Sequence, residues 1–542
     1  MPTIIIDGRE ITVEAGTRVL KAALDNGIPI PHYCYHPALS VPGNCRMCMV
    51  EIEVQGRKQL TTSCTNLVSD GMVVYTETPL VLQTRKDILE FLLVNHPLDC
   101  PVCDRAGECA LQDYSYQHGL GYSRFEEEKV VFPRKDLGPH VRIYSTRCVR
   151  CTRCLRFCDE VTGTGEIGYF NRGVHNEIDV FPGVELDNRM SGNVVDICPV
   201  GALIDRDFLF QARVWYLKSV ESVCPRCSAG CNITVNVKDD KVYGAENVKP
   251  NVVYRVKPRT NMEVNTYWIC DGGRYGVGYV NREDRLEWPE VVEDGQQIEV
   301  TWEEALGVVK EGFSQITIHH GAQAIALILS GQLTNEENYL AAKFAKEVLG
   351  TSKVAIRKKV SPEGDVRFKG GFVIEADKTP NSRGARDMAT ALGFDVQDAE
   401  AIWREVEEGT VRALYVLGGE PEEALTPAEE KALGKVSFFV VQDILPSQLT
   451  EIADVVLPGT SFAEKEGTFT NSRERVQRIR RAIAPPGEAR ADWEILQDVA
   501  NVMGGAFTYT SAAEIWGEVR EVAERYTEAT YEAIGSLGVQ VG

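Results

Sequence analysis

The segment PHYCYHPALSVPGNCRMC, residues 31–48, places three cysteines in a loop rich in proline and glycine. With one cysteine downstream they form a first set, Cys34, Cys45, Cys48 and Cys64. Iron in iron–sulfur clusters prefers thiolate ligands, and a close pair with two flanking cysteines lets the loop wrap a cluster. Gly43, beside Cys45, would let the backbone approach the cluster closely. The spacing predicts a [2Fe–2S] centre, with a four-cysteine zinc site as the alternative.

The residues before this loop predict a small sheet with one helix. Residues 3–13 have the pattern of two strands joined by an Asp7-Gly8 turn. A helix is expected from about Thr17 to Asn26, ended by Gly27. A hairpin and a helix followed by a cysteine loop are typical of plant-type ferredoxin domains. This order favours the cluster over zinc at the first set.

A second set combines one histidine with three cysteines in HPLDCPVCDRAGEC, residues 96–109: His96, Cys100, Cys103 and Cys109. An amphipathic helix over residues 79–95, capped by Thr78, is expected to end just before it. An isolated histidine is usually structural, but the three cysteines that follow favour a ligand. A neutral imidazole in place of a thiolate raises the reduction potential. We expect a [4Fe–4S] cluster, with zinc bound by the same histidine and cysteines as the alternative.

A third set begins with the run C-x2-C-x2-C-x3-C and ends in the segment DICPVGAL. In bacterial ferredoxins the last cysteine of such a run precedes a proline. Here Asp159 follows Cys158, whereas the cysteine before a proline is Cys198. We therefore assign one [4Fe–4S] cluster to Cys148, Cys151, Cys154 and Cys198. Cys158 is then a free thiol packed nearby, and an exchange of roles between Cys158 and Cys198 stays open.

The fourth set lies in CPRCSAGC and WICDGGRYG: Cys224, Cys227, Cys231 and Cys270. Its spacing predicts another [4Fe–4S] cluster, again with zinc as the alternative occupant. The four sets use fifteen of the sixteen cysteines, and none follows Cys270. Such a series of redox centres indicates an electron relay that holds about 14 iron atoms, and we assign no catalytic residue.

Beyond about residue 280 the pattern changes to alternating strands and helices. Thr334 and Glu337 form a predicted capping box for a helix that ends at Gly350. Four apolar runs predict buried strands, at residues 324–331, 412–419, 436–443 and 453–459. This part of the chain therefore predicts an α/β domain with a mostly parallel sheet.

Length and composition exclude several classes of protein. The 542 residues exceed one core and indicate several domains. A formal charge of −21 argues against nucleic-acid binding. We see neither an apolar run of about 20 residues for a membrane span nor a secretory signal. We therefore expect the chain inside the cell, where clustered cysteines bind metal more often than they form disulfides.

Three other patterns are weaker. Gly163, Gly165 and Gly168 match G-x-G-x-x-G but lack the strand and βαβ context of a dinucleotide site. The stretch RERVQRIRR, residues 473–481, favours a solvated strand or loop over contact with an anionic cofactor or acidic partner. Several histidines lack metal-ligand spacing: His32, His36, His118, His140 and His175.

The order of these motifs resembles the family of large iron–sulfur subunits of bacterial respiratory complex I. The likeness lies in YCYHP…GNCRMC, HPLDCPVCDRAGECALQD, CVRCTRC…DICPVGAL and CPRCSAGC…WICDGGRYG. It implies that His96 is a true ligand and Cys158 a bystander. From about residue 217 the chain is similar to molybdopterin oxidoreductases, in SGQLTNEENYLAAKFA, VLPGTSFAEKEGTFTNSRERVQ and RADWEIL. Because no cysteine follows Cys270, this resemblance implies a shortened relic without molybdopterin.

The expected fold is multidomain, α+β and α/β. It comprises an N-terminal β-grasp ferredoxin domain, loop-rich iron–sulfur domains and a C-terminal molybdopterin-oxidoreductase-like domain. The expected boundaries are 1–78 for the [2Fe–2S] domain, 79–138 for the [4Fe–4S] domain with the histidine ligand, 139–216 for the ferredoxin-like [4Fe–4S] domain, 217–275 for the molybdopterin-oxidoreductase-type [4Fe–4S] domain and 276–542 for the α/β domain.

The resemblance implies an electron-transfer subunit of a proton-translocating NADH:quinone oxidoreductase, without a complete active site in this chain. Its partners would be a flavin- and NADH-binding subunit and other peripheral-arm iron–sulfur subunits. It would lie peripherally on the cytoplasmic side of the bacterial inner membrane, with the fourth cluster off the main electron route. The alternative is the catalytic subunit of an NAD-linked formate dehydrogenase. An iron-only hydrogenase subunit needs late cysteines that are missing, and a zinc scaffold would be colourless.

Overall fold

A computed structural model describes residues 1–242, 244, 246–418 and 425–542. The chain forms two compact units. The first comprises Met1–Leu217 with Phe368–Phe372, and the second comprises Lys218–Arg367 with Val373–Gly542. None of the described helices is both long enough and apolar enough to cross a membrane.

The first unit begins with a small sheet that packs against one helix. Its elements are β1 (Thr3–Ile6), β2 (Arg9–Thr12), α1 (Val19–Asp25), β3 (Met49–Val54), β4 (Arg57–Thr62) and β5 (Val73–Tyr75). The strand order is β2-β1-β5-β3-β4, in which β1 and β5 pair in parallel and the other pairs are antiparallel. Asp7 and Gly8 make the β1–β2 turn with positive φ angles, as the sequence predicts. This arrangement is a β-grasp fold that carries the first cysteine loop between α1 and β3.

The remainder of the first unit has short elements separated by loops. They are α2 (Pro79–Leu93), α3 (Ala110–His118), β6 (Arg134–Asp136), β7 (Val141–Tyr144), α4 (Arg153–Arg156), β8 (Ile167–Phe170), β9 (Glu177–Val180), α5 (Asn193–Ile197) and β10 (Leu203–Asp205). The Thr78 side chain caps α2 by accepting a hydrogen bond from Val81 N. Gly163 and Gly165 follow a π-helical turn instead of a strand, so the context of a dinucleotide-binding loop is missing there.

The second unit opens with a three-stranded antiparallel sheet and a short helix. These are β11 (Leu217–Val223), β12 (Asn232–Lys238), β13 (Arg255–Pro258) and α6 (Asp271–Tyr275). The fourth set of cysteines lies on the loop between β11 and β12 and at the start of α6.

A larger α/β domain follows. Its elements are β14 (Glu290–Glu293), β15 (Gln296–Glu299), α7 (Trp302–His320), β16 (Ile325–Ser330), α8 (Asn335–Phe344), β17 (Val354–Arg357), β18 (Val366–Arg367), β19 (Val373–Ile374), α9 (Ser382–Ala391), β20 (Gln397–Asp398), α10 (Ala399–Glu408), β21 (Ala413–Leu417), α11 (Pro427–Leu433), β22 (Phe438–Asp443), α12 (Gln448–Ile452), β23 (Val455–Pro458), β24 (Gly467–Thr470), β25 (Arg475–Ile479), α13 (Asp492–Val502), α14 (Ala512–Val522), α15 (Tyr531–Ile534) and β26 (Val539–Gln540). Its eight-stranded sheet has the order β15-β14-β23-β22-β21-β16-β17-β20. The six strands from β23 to β20 pair in parallel, as expected.

Helices cover both faces of this sheet. Ile325, Leu327 and Leu329 of β16 pack with α7, α8 and α13 on one face. Ala326 and Ile328 pack with α10 and α11 on the other face. Successive side chains of a strand point to opposite faces, so a parallel strand covered on both sides is apolar throughout. The sheet is therefore the middle layer of a three-layer α/β/α domain.

The structure shifts several element boundaries and corrects one expectation. The capping box of Thr334 and Glu337 forms as predicted, but α8 gives way to a π-helical turn before Gly350. Gly419, the last residue of one predicted strand, lies outside the described residues. The expectation of a solvated strand or loop at residues 473–481 is wrong in part. The segment forms β25, the middle strand of a three-stranded sheet, and Arg480 pairs with Glu221 at 3.0 Å.

Two glycines of α7 provide a matched test of this packing. An added Cβ at Gly312 would lie 2.3–2.5 Å from carbons of the Phe438 ring, whereas at Gly307 it would meet nothing within 4 Å. We expect G312A to destabilise the protein by about 1–3 kcal/mol through overpacking. G307A should stabilise it by about 0.5–1 kcal/mol, because alanine favours the helix. Thermal unfolding of the full chain, followed by circular dichroism, measures both, and equal melting temperatures would contradict the packing.

Candidate metal centres

The first set is held in the β-grasp domain. Cys34, Cys48 and Cys64 are buried and Cys45 is partly exposed. Hydrogen bonds between sulfur atoms link Cys34 to Cys45 and Cys64, and Cys48 to Cys64. These contacts lower the pKa of Cys34 and Cys48 and raise the pKa of Cys45 and Cys64. The side chains of these four cysteines therefore lie close to one another.

Backbone N–H groups also face the sulfur atoms of the first set. The amides of Asn44 and Cys45 donate to the Cys34 sulfur, and the amide of Cys64 donates to Cys48. Gly43, which the sequence assigns to a close approach to the cluster, adopts φ +64°. A Cβ at this position would lie 2.8 Å from the Thr65 methyl carbon. The structure therefore gives two further reasons for a glycine at position 43, namely the positive φ of the turn and the lack of room for a Cβ beside Thr65.

The second set follows the end of α2. Burial, with the charges of Arg147 and Lys129, lowers the pKa of His96 to about 4. The imidazole is therefore neutral at pH 7, which is the form that binds a metal. Cys103 and Cys109 are buried and Cys100 is exposed. Cys109 is the N-cap residue of α3, and burial raises the pKa of its thiol while the nearby backbone amides of Gln112 and Leu111 oppose that change.

Two residues that the sequence interpretation missed shape the second set. The Arg213 guanidinium donates to the carbonyl oxygens of Cys100 (2.8 Å), Pro101 (2.9 Å) and Cys103 (3.0 Å). A Cβ at Gly201 would lie 2.2 Å from the Cys103 sulfur. Gly201 carries a weak sequence signal, because it lies three residues after Cys198. Arg213 carries none, since it is far in sequence from the loop that it holds.

The third set lines a small cavity with about 340 Å³ of empty volume. Its cysteines are Cys148, Cys151, Cys154 and Cys198, and the remaining walls are mostly apolar side chains. The Arg150 amide donates to the Cys148 sulfur at 3.3 Å. Cys158 is buried on the π-helical turn, where its sulfur hydrogen-bonds to Glu166. Burial and this carboxylate raise the pKa of Cys158. The geometry thus groups Cys198 with the first three cysteines of the run.

The fourth set lies entirely within the second unit. Burial raises the pKa of each of its four cysteines, Cys224, Cys227, Cys231 and Cys270. The Gly273 amide, in the first turn of α6, donates to the Cys270 sulfur at 3.3 Å. A Cβ at Gly273 would lie 2.8 Å from the Cys224 sulfur. The amides of Arg226 and Ala229 point toward Cys224 and Cys227. The fourth set therefore resembles the other sets in having buried sulfur atoms that face backbone amides.

A cleft beside the fourth set lies at the carboxyl ends of the parallel strands β16, β21, β22 and β23. It has about 640 Å³ of empty volume, and its walls include Arg226, Gly418, Thr460 and Lys465. Lys465 is buried, and its ammonium donates to Glu337 at 2.9 Å and Asp492 at 2.6 Å. The charge of Lys465 is therefore already neutralised by carboxylates of the protein itself.

Within the described ranges, no group of three or more His, Cys, Asp or Glu side chains is arranged to hold a single metal ion. The ligands of an iron–sulfur cluster bind different iron atoms, so their donor atoms need not converge on one point. A zinc ion instead needs all its donors at about 2.0–2.3 Å from one position.

Models of five protein domains match successive stretches of the chain. They are the 2Fe-2S iron-sulfur cluster binding domain (residues 1–79), the NADH-ubiquinone oxidoreductase-G iron-sulfur binding region (85–124), the NADH-quinone oxidoreductase subunit 3 ferredoxin-like domain (138–204), the molybdopterin oxidoreductase Fe4S4 domain (217–282) and molybdopterin oxidoreductase (285–362 and 375–502). Together with the observed fold, these matches define a multidomain iron–sulfur protein with a molybdopterin-oxidoreductase-type α/β domain. The expected fold class is confirmed.

Relatives extend along almost the whole chain. The NADH-ubiquinone oxidoreductase 78 kDa subunits of Neurospora crassa and Candida albicans are each 30% identical and align with 96% of this chain, over 83% and 85% of their own lengths. The G subunit of NADH-quinone oxidoreductase from Rickettsia felis is 38% identical over 65% of this chain, and the chain spans only half of that protein's length. The chain belongs to the family that comprises the G subunits of NADH-quinone oxidoreductase and the 75 and 78 kDa subunits of NADH-ubiquinone oxidoreductase.

The third set yields a direct test of the assignment of its ligands. Because Cys198 lines the cavity and Cys158 bonds to Glu166, we expect C198A to lose about four iron atoms per chain. C158A should keep its full iron content. Iron analysis with EPR of both anaerobically purified variants measures the difference, and the reverse pattern would exchange the two roles.

The contact at Gly201 yields a second test. In G201A the added methyl group would overlap the Cys103 sulfur, so we expect the loss of about four iron atoms from the second set. Gly121 of the same unit has nothing within 4 Å of an added Cβ, and G121A is the matched control. Full iron content in G201A would mean that Cys103 is free to move away from the cluster site.

Proposed function

We propose that this chain is the electron-transfer subunit of an NADH:quinone oxidoreductase. It relays single electrons from a flavin subunit toward quinone. The observation that carries this proposal is the series of four ligand sets, each with buried sulfur atoms, in a chain of this oxidoreductase-subunit family. Sulfur enclosed by protein and facing backbone amides fits a redox centre that must exchange electrons without exposure to water.

The proposed ligands are the four sets in chain order. Cys34, Cys45, Cys48 and Cys64 hold a [2Fe–2S] cluster. Three [4Fe–4S] clusters are held by His96, Cys100, Cys103 and Cys109, by Cys148, Cys151, Cys154 and Cys198, and by Cys224, Cys227, Cys231 and Cys270. The neutral His96 imidazole and the amides that face sulfur fit this donor set. The bound clusters supply one-electron transfer. The protein residues orient them, exclude water and tune their potentials.

The chemistry of the electron donor determines which subunit carries out which step. NADH gives up two electrons as a hydride, so a flavin must separate them before an iron–sulfur cluster accepts one. That flavin belongs to a partner subunit, and other peripheral-arm subunits receive the electrons. The complex lies at the cytoplasmic side of the bacterial inner membrane, and this chain has a peripheral place in it. We propose the five domains with the boundaries expected from the sequence, and a fourth cluster that lies off the main electron route.

We also propose that the α/β domain carries no molybdopterin. Two features support this proposal over a formate-dehydrogenase-type catalytic subunit. No cysteine follows Cys270 to ligate a molybdenum or tungsten ion. In the cleft, Lys465 is paired with two carboxylates of the protein itself, so it presents no net positive charge to an anionic cofactor.

Elemental analysis with EPR of the anaerobically purified chain tests the proposed function. We expect about 14 iron atoms per chain, with both [2Fe–2S] and [4Fe–4S] signals, and neither molybdenum nor tungsten. Zinc in place of iron in a colourless protein would contradict the proposal. So would stoichiometric molybdenum or tungsten with bound pterin in a chain that oxidises formate unaided.

A further inference from the structure

One buried arginine connects the loops of the first and third cysteine sets. Arg156, the last residue of α4, is 9% exposed. Its Nη2 atom donates to the Cys34 carbonyl oxygen at 2.6 Å and to the Cys151 carbonyl oxygen at 3.2 Å. Cys34 belongs to the first set and Cys151 to the third, so a single nitrogen atom bridges their main chains.

A second arginine makes a parallel bridge between the same two loops. Arg153 Nη1 donates to the Ile197 carbonyl oxygen at 3.0 Å, one residue before Cys198. Its Nη2 atom donates to the carbonyl oxygen of Tyr35, one residue after Cys34. The two guanidinium groups lie on one turn of helix and donate to five main-chain carbonyl groups of the two loops, since Arg156 Nη1 also donates to the Ser40 carbonyl oxygen.

The charges of these arginines have no carboxylate partner among the described residues. Burial lowers the pKa of Arg153, and negative charge on the sulfur atoms of Cys151, Cys198 and Cys34 opposes that change. A buried cation is costly unless an anion lies nearby. Under the proposed function the sulfur atoms of both sets are metal-bound thiolates, so the two guanidinium groups supply positive charge beside both sets.

We propose that Arg156 and Arg153 are positioning residues for electron transfer between the first and third iron–sulfur centres. They fix the separation of the two centres and raise both reduction potentials. This inference rests on the ligand sets of the proposed function. In each transfer one centre loses one electron and the other gains it, and the arginines neither form a bond nor move a proton. Because reduction adds a negative charge to a centre, a fixed cation beside it favours the reduced form.

Only arginine can fulfil both parts of this role. Its planar guanidinium presents five donors in a fixed fork, whereas a lysine ammonium is a point charge on a flexible stem. R156K therefore keeps the charge and loses the double donation. R156Q loses both. These two variants separate the electrostatic effect from the positional one.

The experiment uses the full chain with its clusters, purified anaerobically. EPR redox titration gives the midpoint potentials of the [2Fe–2S] and third-set signals. The relaxation enhancement of one signal by the other reports the distance between the two centres. In R156Q we expect the equilibrium constant for reduction to fall roughly tenfold at both centres, about 59 mV each. In R156K we expect smaller shifts in potential but a weaker relaxation enhancement.

R206K is the matched control, because Arg206 of the same unit donates to the Gly138 carbonyl oxygen at 3.0 Å, away from the cysteine loops. We expect neither potential to move in this variant. Full iron content in R156Q with a shift at one centre only, or at neither, would overturn the inference. If R156Q loses iron, the R156K variant tests the inference. Relaxation enhancement equal to that of the wild type in R156K would overturn the inference, and weaker enhancement would support it. Wild-type protein without the two signals would instead refute the proposed function.

Discussion

A loop that turns its backbone amides toward cysteine sulfur must turn many of its carbonyl oxygens toward the protein. Those oxygens still need donors, because a buried carbonyl without one is costly. In the first unit arginines supply them. Arg213 satisfies three carbonyl groups between Cys100 and Cys103, and Arg105 donates to Val195 and Asp196 just before Cys198. A guanidinium group with five donors can serve several carbonyl groups at once, so the ligand loops depend on arginines that lie outside the motifs.

Different interactions stabilise the two units. The loop-rich part of the first unit has short strands and helices, and it relies on hydrogen bonds to its ligand loops and on bound metal. The α/β domain instead has a sheet covered on both faces, with large apolar clusters on each side. The core of this domain therefore consists of apolar contacts on both faces of the sheet.

The sequence predicts most of the fold and much of the site. The spacing of Cys148, Cys151 and Cys154 predicts a shared site, and all three line one cavity. The proline after Cys198 indicates the fourth cysteine, which lines the same cavity. Hydrophobic patterns locate the central parallel strands to within two residues. The rest depends on distant contacts, which a local pattern cannot contain. Arg156 has no motif that links it to Cys34. The basic segment of β25 is half-buried because β24 and β26 enclose it, and its own charges give no sign of that.

The buried cations of the chain differ in their partners. In the α/β domain Arg285 forms a two-point pair with Glu464 at 2.9 Å, and Lys465 is paired with two carboxylates. In the first unit Arg153 and Arg156 donate to carbonyl oxygens, and Arg156 also donates to the Thr152 hydroxyl at 3.2 Å, with no carboxylate partner for either among the described residues. Buried charge must be balanced locally. A domain whose cations are balanced by its own carboxylates is complete as a scaffold. The charges of Arg153 and Arg156 are balanced when the neighbouring thiol groups carry the negative charge of metal-bound thiolates.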